Sequence, residues 1–298
     1  MNSKIEKLRR TTQVGSSMYQ NESRKYYQAL RAIHSNVFTN NKRKMNEKTF
    51  TRYTDGNIEG INNLYTLIGV LIKLLENNKN VKGVDYGCGS HYFVDDANSN
   101  YGWDTNGFDS DIDAIADAKT RYPQNAHKYH FLNLLMNQLP LADGSQDFVF
   151  CNAVIQHFSD EEVLYAFSDI CRILKNDGIF LVIFKRNILD WEAFSAKSGI
   201  KINILDENEG MIEIEDEKMK TALKNFNDRN KNNIPEKYYS GMRLIHVYRV
   251  ENIINFAEKK QFRLIDKIEL PNKHTTDGIL SYQSGKGIPN AALFFKKA

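Results

Sequence analysis

Between residues 81 and 185, short apolar runs alternate with stretches of helical periodicity, and this rhythm restricts the fold more than any other feature of the 298-residue chain. The runs are VKGVDYG (81–87), NGFD ending at Asp109, KYHFLN (128–133), DFVFCNA (147–153) and IFLVIFK (179–185). Between them, DIDAIADAKTRYP and SDEEVLYAFSDICRIL carry apolar residues at helical spacing. The second opens with Ser159 and Glu162 at the separation of a capping box. Strands that alternate with helices pack as a mostly parallel α/β sheet covered on both faces. The end of the chain departs from this rhythm. VENIINFAEKKQF (250–262) reads as a helix, and RLIDKIEL (263–270) and AALFFKK (291–297) follow it as strands with no helix between them. That arrangement predicts an antiparallel last strand.

Two regions stand outside the alternation. Apolar residues from Ile58 to Leu75 recur at three- and four-residue spacing, which predicts a helix over about 56–77 with Asp55 as N-cap. The expected division is an N-terminal helical extension over 1–78 and a main domain over 79–298. An insertion at 187–248 interrupts that domain. Within it, IKINIL and MIEIED alternate with period two about DENEG, predicting a hairpin at 200–216 and then a helix near 216–230. An insertion of this length is read as a lid.

Composition excludes several classes. A net charge of +3 is too small for the whole chain to be a polyanion binder, although residues 1–60 hold twelve Lys and Arg against five acids. Cys88, Cys151 and Cys171 lack paired metal spacing and sit in apolar stretches, so they read as reduced, buried thiols. The first twenty residues lack the apolar core of a secretory signal, and the apolar run from Leu64 to Leu75 is too short for a membrane span. A cytoplasmic protein is expected, with no membrane partner.

The chemistry gathers at Val84-Asp85-Tyr86-Gly87-Cys88-Gly89-Ser90, a glycine-rich turn at the end of the first strand, where a ligand can approach the backbone closely. Twenty-four residues after Asp85, Asp109 ends the second strand and offers a carboxylate to both hydroxyls of a ribose. A dinucleotide fingerprint would place a third glycine where this chain has His91. The polar and aromatic residues that follow, HYFVDDANSNYGWDTN, read as a poor start for a helix that would hold a pyrophosphate. A phosphate-free nucleoside fits better.

In this arrangement the chain resembles the class I S-adenosylmethionine-dependent methyltransferases, of the type 11-like kind. DYGCG (85–89) matches the first family motif and GFD (107–109) the ribose-binding acid. LPLADGSQDFVFCNAVIQHF (139–158) matches the segment through strand four, and CRILKNDGIFLVIFK (171–185) the helix, turn and strand five. The resemblance implies a Rossmann-like seven-stranded sheet, mostly parallel with an antiparallel last strand, and S-adenosylmethionine as cofactor. It implies that Asp85, Gly87 and Gly89 line the methionine part and that Asp109 binds the ribose. Asn133 and Leu134 would serve the adenine, and Asn152 would face the methionine.

Such a cofactor carries an already activated methyl group, so the protein has to align a nucleophile and exclude water. His157, just beyond strand four, is the candidate base because its ordinary pKa lies near neutrality. In the insertion, Tyr239, Arg243 and His246 belong to an aromatic and basic cluster expected to face substrate. The expected activity is methyl transfer to an oxygen or nitrogen of a small molecule. Alternatives are an RNA methyltransferase using the basic N-terminal region and a non-catalytic adaptor that binds the cofactor. No metal is implied by residue spacing. The acceptor, the need for a base and the oligomeric state, a homodimer among the alternatives, stay open.

Overall fold

The structure, a computed structural model, describes residues 64–75, 80–134, 136–198, 201–207, 210–215, a few isolated positions between 216 and 242, 243–270 and 290–298. The basic N-terminal region, the Asp55 cap and most of the helix expected near 216–230 lie outside the described residues.

Helix α1 (Leu64–Leu75) is followed by β1 (Lys82–Tyr86), α2 (Phe93–Tyr101), β2 (Asp104–Asp109), α3 (Ile112–Arg121) and β3 (Tyr129–Phe131). Then come β4 (Gln146–Asn152), α4 (Asp160–Ile173), β5 (Leu174–Lys185), α5 (Ile188–Ser198), β6 (Lys201–Asp206) and β7 (Met211–Glu215). β8 (Arg243–His246), α6 (Val250–Glu258), β9 (Phe262–Leu270) and β10 (Asn290–Lys297) complete the described elements. Seven strands form one sheet in the order β3-β2-β1-β4-β5-β10-β9. The pairs β1/β2, β1/β4, β2/β3 and β4/β5 are parallel, and β10 runs antiparallel to β5. The strand order therefore reverses between β1 and β4, which in open α/β sheets is where the carboxyl ends leave a crevice. No helix among the described residues is long and apolar enough to cross a membrane.

The chain divides into two compact units. The larger sheet lies in one of them, which takes in Leu71–Arg186, His246–Ile268 and Asn290–Ala298. In the other, β6 and β7 form the antiparallel hairpin that the period-two alternation predicts, and β8 joins them in a three-stranded sheet.

Both faces of the large sheet are covered, which is why its central strands are apolar without alternation. Every residue from Ile179 to Phe184 in β5 is buried. The Phe180 ring meets Phe167 of α4 at 5.0 Å, Phe262 at 5.3 Å and Phe295 of β10 at 6.0 Å. Around another cluster, Phe93 of α2 lies 4.5 Å from Phe150 and Trp103 lies 5.0 Å from Phe148. Burying one such ring contributes roughly 1.5–3 kcal/mol. Helix α2 corrects the reading of the segment after the glycine-rich turn. No side chain caps it, yet Phe93, Val94 and Ala97 are buried on one face and Asp95 and Asp96 complement the dipole in its first turn.

The approach to β4 is pinned by charge. Asp169 of α4 accepts from the Leu139 amide at 2.7 Å and from Arg172 Nε at 2.9 Å, while Arg172 donates to the Leu139 and Leu141 carbonyls, each at 2.8 Å. At the start of α4 the capping box is complete. Ser159 Oγ accepts from the Glu162 amide and Glu162 Oε2 accepts from the Ser159 amide. Ser159→Ala removes one half of this reciprocal pair and is expected to lower stability by about 1 kcal/mol, read as a lower denaturant midpoint at unchanged slope.

Candidate functional site

The site is built where β1, β2 and β4 end. Parallel register places Asp85 beside Gly107 of β2 and Phe150 of β4. Beyond β1 the chain turns under the end of β2, with the Gly87 and Cys88 amides donating to the Phe108 carbonyl at 2.8 and 3.1 Å. Three consecutive residues then do different things. Gly87 has φ of 76°, and a Cβ there would stand 2.3 Å from Val154 Cγ2, so the turn is pressed against the segment after β4. Cys88 points into a buried cluster with Val94, Ile115, Ala118 and Tyr129, and burial pushes its thiol well above the usual range. Gly89, at φ of 54°, has nothing within 4 Å of where a Cβ would be.

Asp109 organises the next layer. Its Oδ2 accepts from the Gly89 amide at 2.7 Å and its Oδ1 from the Asp111 amide at 2.7 Å. The neighbouring Ser110 hydroxyl donates to the Leu132 carbonyl at 3.1 Å and accepts from the Leu134 amide at 2.9 Å. The strap after β3 is thereby fixed to the strap after β2. Asn133 lies in this strap, partly exposed, and its carbonyl receives the Met136 and Asn137 amides. Leu134 is buried in the core, and the Tyr86 hydroxyl donates to its carbonyl. Ile112, at the first position of α3, keeps a large apolar side chain 57% exposed at this edge.

Electrostatics disfavour the charge of the acid on β1. Asp85 is buried, and desolvation first and the Asp109 charge second push its carboxyl well above the ordinary 3.8. Burial pushes His91, in the same loop, down to about 4, so its imidazole is neutral at neutral pH.

At the end of β4, Asn152 is partly exposed and Ala153 follows in a left-handed conformation with φ of 58°, its amide donating to the Ile183 carbonyl. A single 3-10 turn, Ile155–His157, leads on to α4. His157 is exposed at the end of that turn. Among the residues expected to meet substrate, Tyr239 lies outside the described residues and Arg243 is the first residue of β8. His246 is buried. Its Nδ1 stands 3.2 Å from the Phe158 carbonyl, which also receives the Tyr248 hydroxyl at 2.8 Å, and the two rings lie 3.7 Å apart. The structure thus brings Asp85, Gly87, Gly89, Asp109, Asn133 and Asn152 to the carboxyl ends of neighbouring strands. Ser110 and Ile112, which the sequence reading does not single out, lie at the same edge. Only the first carries a local signal, as a small hydroxyl residue directly after a strand-ending acid.

Residues 84–182 match the family model described as a methyltransferase domain. No curated protein matches the chain. Among solved structures, a protein of Pyrococcus horikoshii OT3 is similar with a TM-score of 0.56 at 19% identity, covering 79% of this chain and 89% of that one. A protein of Methanosarcina mazei, described as a SAM-dependent methyltransferase, gives 0.52 at 16% identity, covering 76% and 96%. An S-adenosylmethionine-dependent methyltransferase of Clostridium acetobutylicum gives 0.51 at 11% identity, covering 76% and 88%. At these identities the likeness shows a shared fold.

The two glycines of the turn are expected to respond differently to alanine. Gly87→Ala adds a left-handed penalty to a clash with Val154 and should cost about 2–5 kcal/mol of stability. Gly89→Ala meets open space and should cost only about 1–2 kcal/mol, leaving a folded protein whose crevice is narrowed. Thermal melts of the two variants check this order.

Proposed function

We propose, for a chain whose residues 84–182 belong to the methyltransferase-domain family, that it transfers a methyl group from S-adenosylmethionine to an oxygen or nitrogen of a small-molecule acceptor. The observation that carries this reading is the open space at Gly89, whose amide is held by Asp109 at 2.7 Å. The backbone is bare where a ligand would approach, and beside it stands the Asp109 carboxylate at the end of β2.

The residues present fit the cofactor. Asp109 would take the ribose hydroxyls, Asn133 and Leu134 the adenine with Ile112 as an apolar neighbour, and Asp85, Gly87, Gly89 and Asn152 the methionine end. Bound there, the cofactor supplies a methyl group on a sulfonium, an electrophile that needs no further activation. The protein's own contribution is alignment and exclusion of water. Asp85 has a reason to welcome an ammonium group, because its charge is disfavoured by burial and by Asp109 and a nearby cation reverses both effects. To His157, exposed on the turn after β4, we assign the role of taking a proton from an acceptor that arrives protonated. We assign His246 a positioning role, since its ring is engaged with Phe158 and Tyr248.

Calorimetric titration with S-adenosylhomocysteine tests the reading. Saturable binding is expected in the wild type, and Asp109→Ala should weaken it at least about tenfold, or 1.4 kcal/mol. A folded wild-type protein that binds neither this compound nor S-adenosylmethionine would refute it.

The pH dependence follows from Asp85. Its folded pKa is raised, so above 3.8 the folded state holds a proton that the unfolded state has released. This contribution makes the ligand-free protein less stable as pH rises from 3.8 to the elevated value. Asp85→Asn is expected to raise the melting temperature of the ligand-free protein at neutral pH while weakening S-adenosylhomocysteine binding, both measurable on one preparation.

A further inference from the structure

Two buried side chains converge on one backbone atom beyond β4. The Tyr248 hydroxyl donates to the Phe158 carbonyl at 2.8 Å, and His246 Nδ1 stands 3.2 Å from the same oxygen. A carbonyl oxygen only accepts, so His246 carries a proton on Nδ1 in this contact. The strap that bears the two donors is itself hooked to the end of β5. There the Tyr248 amide donates to the Lys185 carbonyl at 3.0 Å, and Arg186 pairs with Tyr248 in a parallel bridge. The Phe184 and Tyr248 rings meet edge-on at 6.3 Å.

Phe158 closes a continuous hydrogen-bonded turn. Its amide donates to the Ile155 carbonyl at 2.9 Å, and the His157 amide donates to the Val154 carbonyl at 3.0 Å. Val154 is the residue against which the Gly87 turn is pressed, and Asn152 stands two residues before it at the end of β4. The near end of this segment is held by the Ala153 amide on the Ile183 carbonyl at 2.9 Å. Its far end is held by Tyr248 and His246. Ile155 and Phe158 also pack into the core, but apolar contact is non-directional and does not by itself orient a peptide plane. Hydrogen bonds from two rigid rings to one carbonyl do.

We propose that Tyr248 and His246 are positioning residues for the cofactor crevice. By holding the Phe158 carbonyl they set the turn from Val154 to Phe158, and through Val154 the shape of the glycine-rich turn at Gly87. Both act through the backbone rather than by touching the cofactor. The inference rests on the methyltransferase reading and deepens it, because it extends the support of the crevice to the strap at the end of the insertion.

Calorimetric titration of the full-length protein with S-adenosylhomocysteine tests this. A purely structural contribution lowers the melting temperature and leaves the dissociation constant of the folded protein unchanged. Tyr248→Phe keeps the ring and removes one donor, and it should weaken binding at least about threefold. His246→Leu should do the same. His246→Asn returns an N–H at the position of Nδ1 and should stay within about twofold of wild type. The double variant of Tyr248→Phe and His246→Leu should depart from the product of the two single losses by at least about twofold, because the donors share one acceptor.

Wild-type affinity in both Tyr248→Phe and His246→Leu, whatever their melting temperatures, overturns the proposal and leaves the two bonds as partners for a buried carbonyl. His246→Asn as weak as His246→Leu also overturns it, by assigning the effect to the volume of the ring. Losses that simply multiply overturn the shared role of the Phe158 carbonyl, and the single variants decide the case where the double variant fails to fold. Wild-type protein that binds neither S-adenosylhomocysteine nor S-adenosylmethionine refutes the methyltransferase reading, and this inference with it.

Discussion

The hydrogen bond from the Gly89 amide to the Asp109 carboxylate ties the end of one strand's turn to the end of the next strand. It lets a half-buried glycine-rich loop hold a fixed shape. Without it, the turn would depend on the two amides that reach Phe108 and on the Val154 contact at Gly87. With it, the group suited to grip a diol is also the group that shapes the backbone beside it. The second carboxylate oxygen fixes the Asp111 amide, and Asp111 caps α3 by accepting from Asp113 and Ala114. One acid therefore connects the crevice floor to the start of a helix.

The sheet supplies the rigidity that this arrangement needs. β1 and β4 are locked in register at Gly83 and Phe148, where a Cβ on the glycine would overlap the ring at 2.1 Å. Close approach of these two strands sets the spacing between the Gly87 turn and the segment carrying Asn152, Ala153 and Gln156. The Arg172 and Asp169 clamp fixes where β4 enters the sheet, and hence where it ends. Positions at the carboxyl edge are thus determined by packing and pairing many residues away.

Much of this was legible in the sequence because the relevant signals are local. Period-two runs gave the hairpin of β6 and β7, and continuous apolar runs gave the buried strands. Ser159 and Glu162 gave the start of α4, since a capping box is complete within four residues. Helix α2 was hidden because its stabilisation comes from Phe93 against Phe150 and from Val94 beside Cys88, contacts that exist only once the sheet is assembled. β5 begins at Leu174, ahead of the apolar run at 179, because Leu174 pairs with Gln146 across an irregular register. Asp85, Gly87, Gly89 and Asp109 could be placed from motif spacing. The enclosure of Gln156 could not, since it depends on how a turn folds back on the core.

The amino ends of the large sheet carry several ion pairs and charge-assisted bonds, although the Thr105 hydroxyl oxygen near the start of β2 has no partner among the described residues. Asp147 takes the Lys82 amide at 2.9 Å and Lys175 Nζ at 2.8 Å, and Lys128 meets Asp104 at 2.6 Å. Left-handed residues there include Asn80 and Asp177, types that tolerate that conformation, and Gln261. At the carboxyl ends, Asp85 is buried with its charge disfavoured, Gln156 has an unpartnered oxygen, and Ala153 takes a left-handed conformation without the side chain that would ease it. On the proposed reading, the positive charge of a bound cofactor would relieve the cost of the buried Asp85 carboxylate. Stored strain of this kind gathers at functional sites when the surrounding structure can hold it. Here the doubly covered sheet provides that support beneath the carboxyl ends of β1 and β4.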